Sequence, residues 1–323
     1  MINYKKIIVV GGDPNSVNSE IIFKSWKKLK KNIKKKIFIV ASYELLKSQF
    51  KALNYSFKLR KIKNLNEKIS ESELKVIDVN LKFKDPFKVN KFNASKYLTK
   101  CLNIGHKLSL EKNTLGFINC AISKNLLLKK NTGITEFLAK KCKINNDSEV
   151  MFIKGNKFSV SPLTTHLDLK NVSRNIKSKK IIIKVKTIHK NYYKFFNKKP
   201  KIGVLGLNPH NAELKSGSEE VNEIIPAINK LKKLGFNING PFVSDSFFIK
   251  DFKNYNVIVG MYHDQVLIPF KSIFKFDAIN ITLGLKYLRV SPDHGVARNL
   301  IKKNKANYKS LLKCIKFINK FGR

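Results

Sequence analysis

At 323 residues the chain is long enough for one large or two medium domains with a substantial buried core. Its 43% hydrophobic and 27% charged content is that of a globular protein, and 15 Gly with 9 Pro exclude a collagen-like or linker-dominated chain. The balance of 65 basic against 22 acidic residues gives a formal charge of +43, yet 23 Phe and 10 Tyr spread along the length exclude charge-driven disorder.

Such a charge raises nucleic acid or anionic lipid as partners. The texture of the charge argues against both. Only five basic residues are Arg (Arg60, Arg174, Arg289, Arg298 and Arg323), while 60 are Lys and 35 further residues are Asn. These residue types have A/T-rich codons, so a biased genome explains the surplus, and a nucleic-acid module would concentrate Arg for bidentate contacts. Cys101, Cys120, Cys142 and Cys314 form no CxxC pair, and the start MINYKKIIVVGGD reads as a first strand. Reduced thiols and a cytoplasmic location are expected. No run approaches the roughly 18–20 apolar residues of a membrane span.

The elements follow in chain order. Lys5–Val10 reads as a strand into a Gly11-Gly12-Asp13-Pro14 turn. Ser19–Leu29 has the apolar spacing of a helix, Lys36–Val40 is a strand, Tyr43–Phe50 a helix and Lys75–Val79 a strand. A helix is expected over Ala94–Leu110 and a strand over Leu115–Ala121. The stretch 129–133 is a plausible domain crossing, as is the segment after Leu283. Ile134–Lys143 reads as a helix. Glu149–Lys154 and Lys157–Pro162 flank a Gly155-Asn156 hairpin signal. Then come a helical stretch Ile176–Phe196, a strand Lys201–Leu207, a helix Ser218–Leu234 with Gly235 as its stop, strands Asn256–Met261 and Phe276–Thr282, and a helix Tyr308–Phe321. The alternation is that of an α/β protein.

Three of the six histidines fall in polar clusters at strand ends: Thr164-Thr165-His166, Asn208-Pro209-His210 and Tyr262-His263-Asp264-Gln265. Ligands gather at the carboxyl ends of strands in open α/β folds. Three imidazoles there can converge on one divalent metal and leave positions open for a substrate. Each alone reads better as a surface or satisfied histidine, and only the joint pattern favours a metal. Asp245 and Asp264 suit proton transfer or the orientation of a histidine, and Asp264 also suits a turn cap.

The same segments carry a resemblance. Leu205-Gly206-Leu207-Asn208-Pro209-His210 with Glu213 and Gly217 to Glu220, Gly240-Pro241 with Asp245, and Met261-Tyr262-His263-Asp264-Gln265 with Pro269 and Lys271 are similar to 4-hydroxythreonine-4-phosphate dehydrogenases. So are Asn280 to Leu285, Arg289 and Ser291-Pro292-Asp293-His294-Gly295. Order and spacing fit from Gly12 to about Ala297. The resemblance implies an isocitrate/isopropylmalate-dehydrogenase-like two-domain α/β fold, not a Rossmann one. Residues 1–128 plus 290–323 would form one domain. Residues 129–289 would form the other, with most metal and substrate ligands and the dimer contact. It implies a homodimer whose active site uses both subunits. It also implies NAD-linked (or NADP-linked) oxidation and decarboxylation of 4-phosphohydroxy-L-threonine to 3-amino-2-oxopropyl phosphate, on the route to pyridoxal phosphate. His166, His210 and His263 would bind a divalent metal such as Zn, Mg or Co. Thr135, Lys271, Asn280 and Arg289 would contact substrate, Asp245, Asp264 and Lys271 would act in catalysis, and Asp293, His294 and Gly295 would help hold the dinucleotide.

Three positions depart from the family pattern. The first loop reads Gly12-Asp13-Pro14-Asn15-Ser16-Val17-Asn18-Ser19-Glu20, with both inner glycines lost. Gly133-Ile134-Thr135-Glu136 has Ile134 where the family has a substrate-contacting histidine. The late loop continues Val296-Ala297-Arg298-Asn299-Leu300 without the usual acidic residue. Two further readings therefore stay open: a dehydrogenase of another four-carbon acid phosphate (threonate or erythronate 4-phosphate), and a catalytically weakened metal- or phosphate-binding homologue.

Overall fold

The computed structural model describes residues 5–56, 58–67, 70, 72–126, 133–144, 147–275 and 277–322. The chain divides into two units, Met1–Thr132 with Lys286–Arg323, and Gly133–Leu285. It opens with β1 (Lys6–Val10), α1 (Asn18–Lys27), the single turn α2 (Lys31–Lys34), β2 (Ile37–Ala41), α3 (Tyr43–Ala52), β3 (Leu59–Ile62), β4 (Leu74–Asp78), α4 (Lys91–Ser109) and β5 (Thr114–Asn119). The second unit contributes α5 (Ile134–Lys141), β6 (Val150–Lys154), β7 (Ser159–Pro162), α6 (Ser178–Phe196), β8 (Ile202–Leu205), α7 (Ile225–Lys233), β9 (Ile238–Phe242), α8 (Ser244–Phe247), β10 (Val257–Gly260), α9 (His263–Phe274) and β11 (Ile279–Leu283). The chain returns to the first unit as β12 (Arg289–Pro292) and α10 (Lys309–Phe321).

The first unit's sheet has the order β3-β4-β2-β1-β5-β12, with every neighbouring pair parallel. Parallel strands are covered on both faces and read as continuous apolar runs. β1, β2 and β5 are buried at every residue for this reason. α4 packs on β1 and β5, and α10 on β5 and β12. Ser42 and Asn90 fix the starts of α3 and α4 by accepting from the N–H of Leu45 and Asn93. The edge strand β3 is short and exposes Arg60 and Lys61, which discourages edge-to-edge pairing.

The second unit's sheet runs β11-β6-β7-β10-β8-β9. β11, β6 and β7 pair antiparallel, while β7, β10, β8 and β9 are parallel. Its core is rich in aromatic residues: Phe158 meets Phe270 edge-on at 5.6 Å, within a cluster that includes Val160, Phe247, Ile258 and Val266. No described helix is long and apolar enough to cross a membrane.

Several expectations need correction. The helix expected over 218–234 runs without a gap from residue 219 to 233, but Glu220–Ile224 winds as a π-helix before α7. Pro226 has no N–H for the carbonyl one turn back, which suits a wider turn there. β3, β9, β12, α8 and α9 were not anticipated, being short, edge-like or, in α9, interrupted by Pro269. Arg289, expected at the end of the second domain, starts β12 and pairs with Phe117 in the first unit. The expected strand start at Phe276, most of the crossing at 129–133 and the boundary at residue 128 lie outside the described residues.

Polar side chains tie the carboxyl ends of the parallel strands together. Gln265 Nε2 donates to the carbonyl of Gly206 and to Ser244 Oγ at 2.6 and 2.7 Å, and its Oε1 accepts from the N–H of Met261. Fully buried Glu220 accepts from the N–H groups of Leu207 and Asn208 at 2.7 and 2.8 Å and from Asn208 Nδ2 at 2.9 Å. Glu220→Ala strands these donors. At roughly 1–3 kcal/mol for a donor left unpaired, the variant should lose about 2–4 kcal/mol and unfold at lower urea. Glu220→Gln, which keeps one oxygen acceptor, should lose less. Equal midpoints for Glu220→Ala and the parent would show that the loop after β8 does not depend on this carboxylate.

Candidate active site

β7, β10 and β8 are adjacent and parallel, so the loops leaving their carboxyl ends stand side by side. These loops carry His166, His263 and His210. His263 opens α9, and its ring centroid lies 6.3 Å from that of His166. His210 lies in a left-handed turn: residues 210–214 all have φ between 49° and 56°. Such a conformation costs about 1–2 kcal/mol per non-glycine residue. The turn is tethered by Asn211, whose Nδ2 donates to the carbonyl of Pro241 at 3.1 Å. Among the described residues no group of three or more His, Cys, Asp or Glu side chains is gathered to hold a metal ion. Of the three expected histidines, His166 and His263 are the two whose rings approach each other.

Each ring has a carboxylate at Nδ1. His166 Nδ1 lies 3.3 Å from Glu136 Oε1, His263 Nδ1 2.6 Å from Asp264 Oδ1, and His210 Nδ1 3.4 Å from Glu213 Oε1. Glu136 sits in the first turn of α5 and also accepts from Thr165 Oγ1 at 3.0 Å. Burial alone pushes its carboxyl up, but the hydrogen bond from His166, the backbone and Thr165 outweigh burial and bring it down to about 2. Gly133 leaves room for this pair. A Cβ there would run into Glu136 Oε2 and meet His166 Cε1 at 2.6 Å.

Next to Glu136, buried Thr135 places its Oγ1 3.3 Å from Oγ1 of Thr282 on β11. Asn280 lies two residues earlier, on the same face of that strand. Its Oδ1 is buried and has no hydrogen-bond partner, which suits an amide awaiting a ligand. Ile134 is half-buried at the start of α5. Lys271 is half-buried in the last turn of α9, and Asp245 is exposed in α8. Arg289 is buried in the first unit, where its Nε donates to Asn119 Oδ1 at 2.8 Å.

The departing loops meet within the first unit. Asn15 exchanges two hydrogen bonds with the backbone of Val89, Ser16 Oγ donates to the carbonyl of Asp13, and Asn18 Nδ2 donates to the carbonyl of Ala121. Gly12 keeps φ +79°, where a Cβ would meet Ala121 O and Asn18 Nδ2 at 2.5 Å. The N–H of Val17 donates to the carbonyl of Val296, and Arg298 lies 3.8 Å from buried Asp13. Burial pushes the Asp13 carboxyl up, against the N–H of Asn15 and the charge of Arg298. His294 Nδ1 contacts the carbonyl of Gly295 at 2.9 Å, its Nε2 is buried without a partner, and the space beside Gly295 is open. The N–H of Asp293 donates to Ser310 Oγ.

Sequence reasoning did not single out Thr282, Asn119 or the clamp made by Gln265. Thr282 had a signal in its two-residue spacing from Asn280. Asn119 had one as an amide ending a fully buried strand. Gln265 had none, because its partners come from three separate loops.

Residues 33–318 match the family model described as pyridoxal phosphate biosynthetic protein PdxA. A 4-hydroxythreonine-4-phosphate dehydrogenase of Sulfurihydrogenibium sp. is 34% identical over 318 residues, 96% of each chain. That of Aquifex aeolicus is 35% identical, over 97% of each. The crystal structure of 4-hydroxythreonine-4-phosphate dehydrogenase from Klebsiella pneumoniae superposes with a TM-score of 0.83 at 26% identity, covering 99% of this chain and 100% of that one. With buried strand-end clamps and a histidine pair inside the matched span, this chain belongs to the pyridoxal phosphate biosynthetic protein PdxA family, that of the 4-hydroxythreonine-4-phosphate dehydrogenases.

Proposed function

We propose that the chain is an NAD-linked 4-hydroxythreonine-4-phosphate dehydrogenase that oxidises 4-phosphohydroxy-L-threonine. The alcohol carbon gives a hydride to the nicotinamide and its hydroxyl a proton, and the resulting β-keto acid loses carbon dioxide to give 3-amino-2-oxopropyl phosphate. The reading rests on family membership and, in the site itself, on one observation: two imidazoles, each with a carboxylate at Nδ1, stand together at the carboxyl ends of adjacent parallel strands. The fold is read as isocitrate/isopropylmalate-dehydrogenase-like, of the two-domain type.

The donor chemistry fits a divalent metal. Neutral imidazoles suit zinc, cobalt, nickel or iron, and magnesium where substrate oxygens complete the shell. His166 and His263 would hold it, with His210 as the third donor. Since the described residues of one chain do not gather all three, we read the site as shared between the two copies of a homodimer. Bound there, the metal supplies Lewis-acid polarisation of the substrate oxygen.

The remaining roles belong to side chains. Lys271 and Arg289 hold the anionic groups of the substrate, Asn280 gives its amide, and Thr135 is a hydroxyl partner. Asp245, exposed at the start of α8, is the candidate for proton transfer. Asp293, His294 and Gly295 would hold the dinucleotide, and the unpartnered Nε2 of His294 fits a loop that awaits a ligand.

Ile134 favours a second reading, a substrate that differs at the end this residue faces, such as threonate or erythronate 4-phosphate. An assay of NADH production with all three acid phosphates decides between them. Turnover of 4-phosphohydroxythreonine is the expected result, and turnover of only one of the others would overturn it.

Two expected outcomes follow. His166→Ala and His263→Ala should each weaken zinc or cobalt binding at least tenfold in calorimetry, since a three-donor site has no spare ligand. Undiminished metal occupancy in both would remove the metal reading. Ile134→His should restore a donor worth about 1.5–3 kcal/mol to a charged group, and so lower KM for 4-phosphohydroxythreonine roughly 10- to 150-fold. If threonate or erythronate phosphate is the true substrate, the same change should harm activity on it.

A further inference from the structure

We propose that Glu136 and Asp264 are positioning residues that hold a proton on Nδ1 of His166 and His263, so that each ring presents Nε2 as its lone-pair donor. This rests on the metal reading above and assigns Asp264 to orienting a histidine rather than to proton transfer.

Two rings share the same hydrogen bond: a carboxylate oxygen meets Nδ1 at 2.6 Å for His263 and 3.3 Å for His166, whereas Glu213 lies 3.4 Å from His210 Nδ1 as an exposed ion-pair neighbour. An ionised carboxylate can only accept a hydrogen bond, so the nitrogen that faces it carries the proton. In the neutral ring the lone pair is then left on Nε2. Imidazole ligands are oriented in this way by carboxylates beyond the metal, which also raise their basicity.

Chance surface pairing would not give this pattern. Acidic residues are outnumbered 65 to 22 in this chain, yet each of the three rings has one, and always at the same nitrogen. The carboxylates come from three different relations: the neighbouring residue for His263, three residues on for His210, and 30 residues earlier for His166. Glu136 is the most firmly built. It is the least exposed of the three, at 31% against 67% and 68% for Asp264 and Glu213. Thr165 fixes the same oxygen that meets His166, and the missing side chain of Gly133 leaves the pair its space. The hold on the ring should therefore be strongest at His166.

The experiment uses the full chain labelled with 15N in histidine, at a pH well above the ordinary histidine range. Imidazole nitrogen shifts report the tautomer of the metal-free protein, and calorimetry with zinc reports affinity. His166 and His263 are expected as Nδ1–H tautomers. Glu136→Ala should move His166 toward the Nε2–H form and weaken zinc binding about 10- to 100-fold. Glu136→Gln keeps a carbonyl acceptor and should retain most of both, which separates positioning from loss of fold. Asp264→Ala should shift His263 likewise. Rings found as Nε2–H in the parent chain would overturn the proposal. So would zinc binding by the parent that is unchanged in Glu136→Ala and Asp264→Ala. A parent chain that binds neither zinc nor cobalt would instead bring down the metal reading, and with it the purpose assigned to the pairs.

Discussion

The carboxyl ends of β10, β8 and β9 are bound to one another through the side chain of Gln265, and the candidate site depends on that tie. One amide reaches the last residue of the loop start after β8, the first residue of α8 and the backbone just beyond β10. Glu220 does the same for the loop that leads to His210, from a position with no exposure to solvent. A buried carboxylate is expensive unless its oxygens are filled. Here Glu220 takes two backbone N–H groups and an amide, so its desolvation is offset by ordering the loop. The loops that carry His210 and His263 are held by these clamps, while Thr164, two residues before His166, ties the end of β7 to β10 by donating its Oγ1 to the carbonyl of Met261.

Electrostatics follow the same division. The basic surplus lies over the surface, where several ammonium groups stack on aromatic rings, as Lys253 does on Phe252 and Lys320 on Phe321. The scarce carboxylates are used locally. Glu136, Glu213 and Asp264 sit on imidazoles, and Glu219 and Glu220 on Asn208. A dication at the histidines would therefore meet negative charge close by despite the net charge of the chain, while an anionic substrate would meet the cationic side chains. Local placement, not the total, sets the chemistry of the site.

How much of this was legible depended on the distance over which each signal acts. β1, β2 and β5 are unbroken apolar runs, and their burial follows from lying inside a parallel sheet. β3 was not readable because Arg60 and Lys61 give an edge strand the look of a loop. α9 was hidden because the polar cluster at its start and Pro269 within it both argue against a helix. In the site, the three histidines were readable from strand-end clusters and motifs. Asp264 was readable as a histidine partner because it is the next residue. Glu136 was not, since its relation to His166 exists only after α5 and the loop after β7 have packed. The same holds for Arg289 and Asn119, which meet across two neighbouring strands although 170 residues apart in the sequence.

The departures from the family pattern are coupled in a way that no single loop reveals. Loss of the inner glycines after Gly12 removes backbone freedom, and the residues that replace them spend their side chains on fixing the loop. Asn15 holds Val89, Ser16 holds Asp13, and Asn18 holds Ala121. The late loop closes on the same segment through Val296 and through Arg298 beside Asp13. A cation at 298 lowers the cost of burying the Asp13 carboxyl, whose second oxygen otherwise has no hydrogen bond. Arg298 is thus understandable only with Asp13 in place, and the stitched first loop only with a late loop that reaches it. The two changed loops form one structural set in the first unit, while the third departure, Ile134, lies in the second unit on the first turn of α5 beside Glu136, so the departures are not confined to one unit.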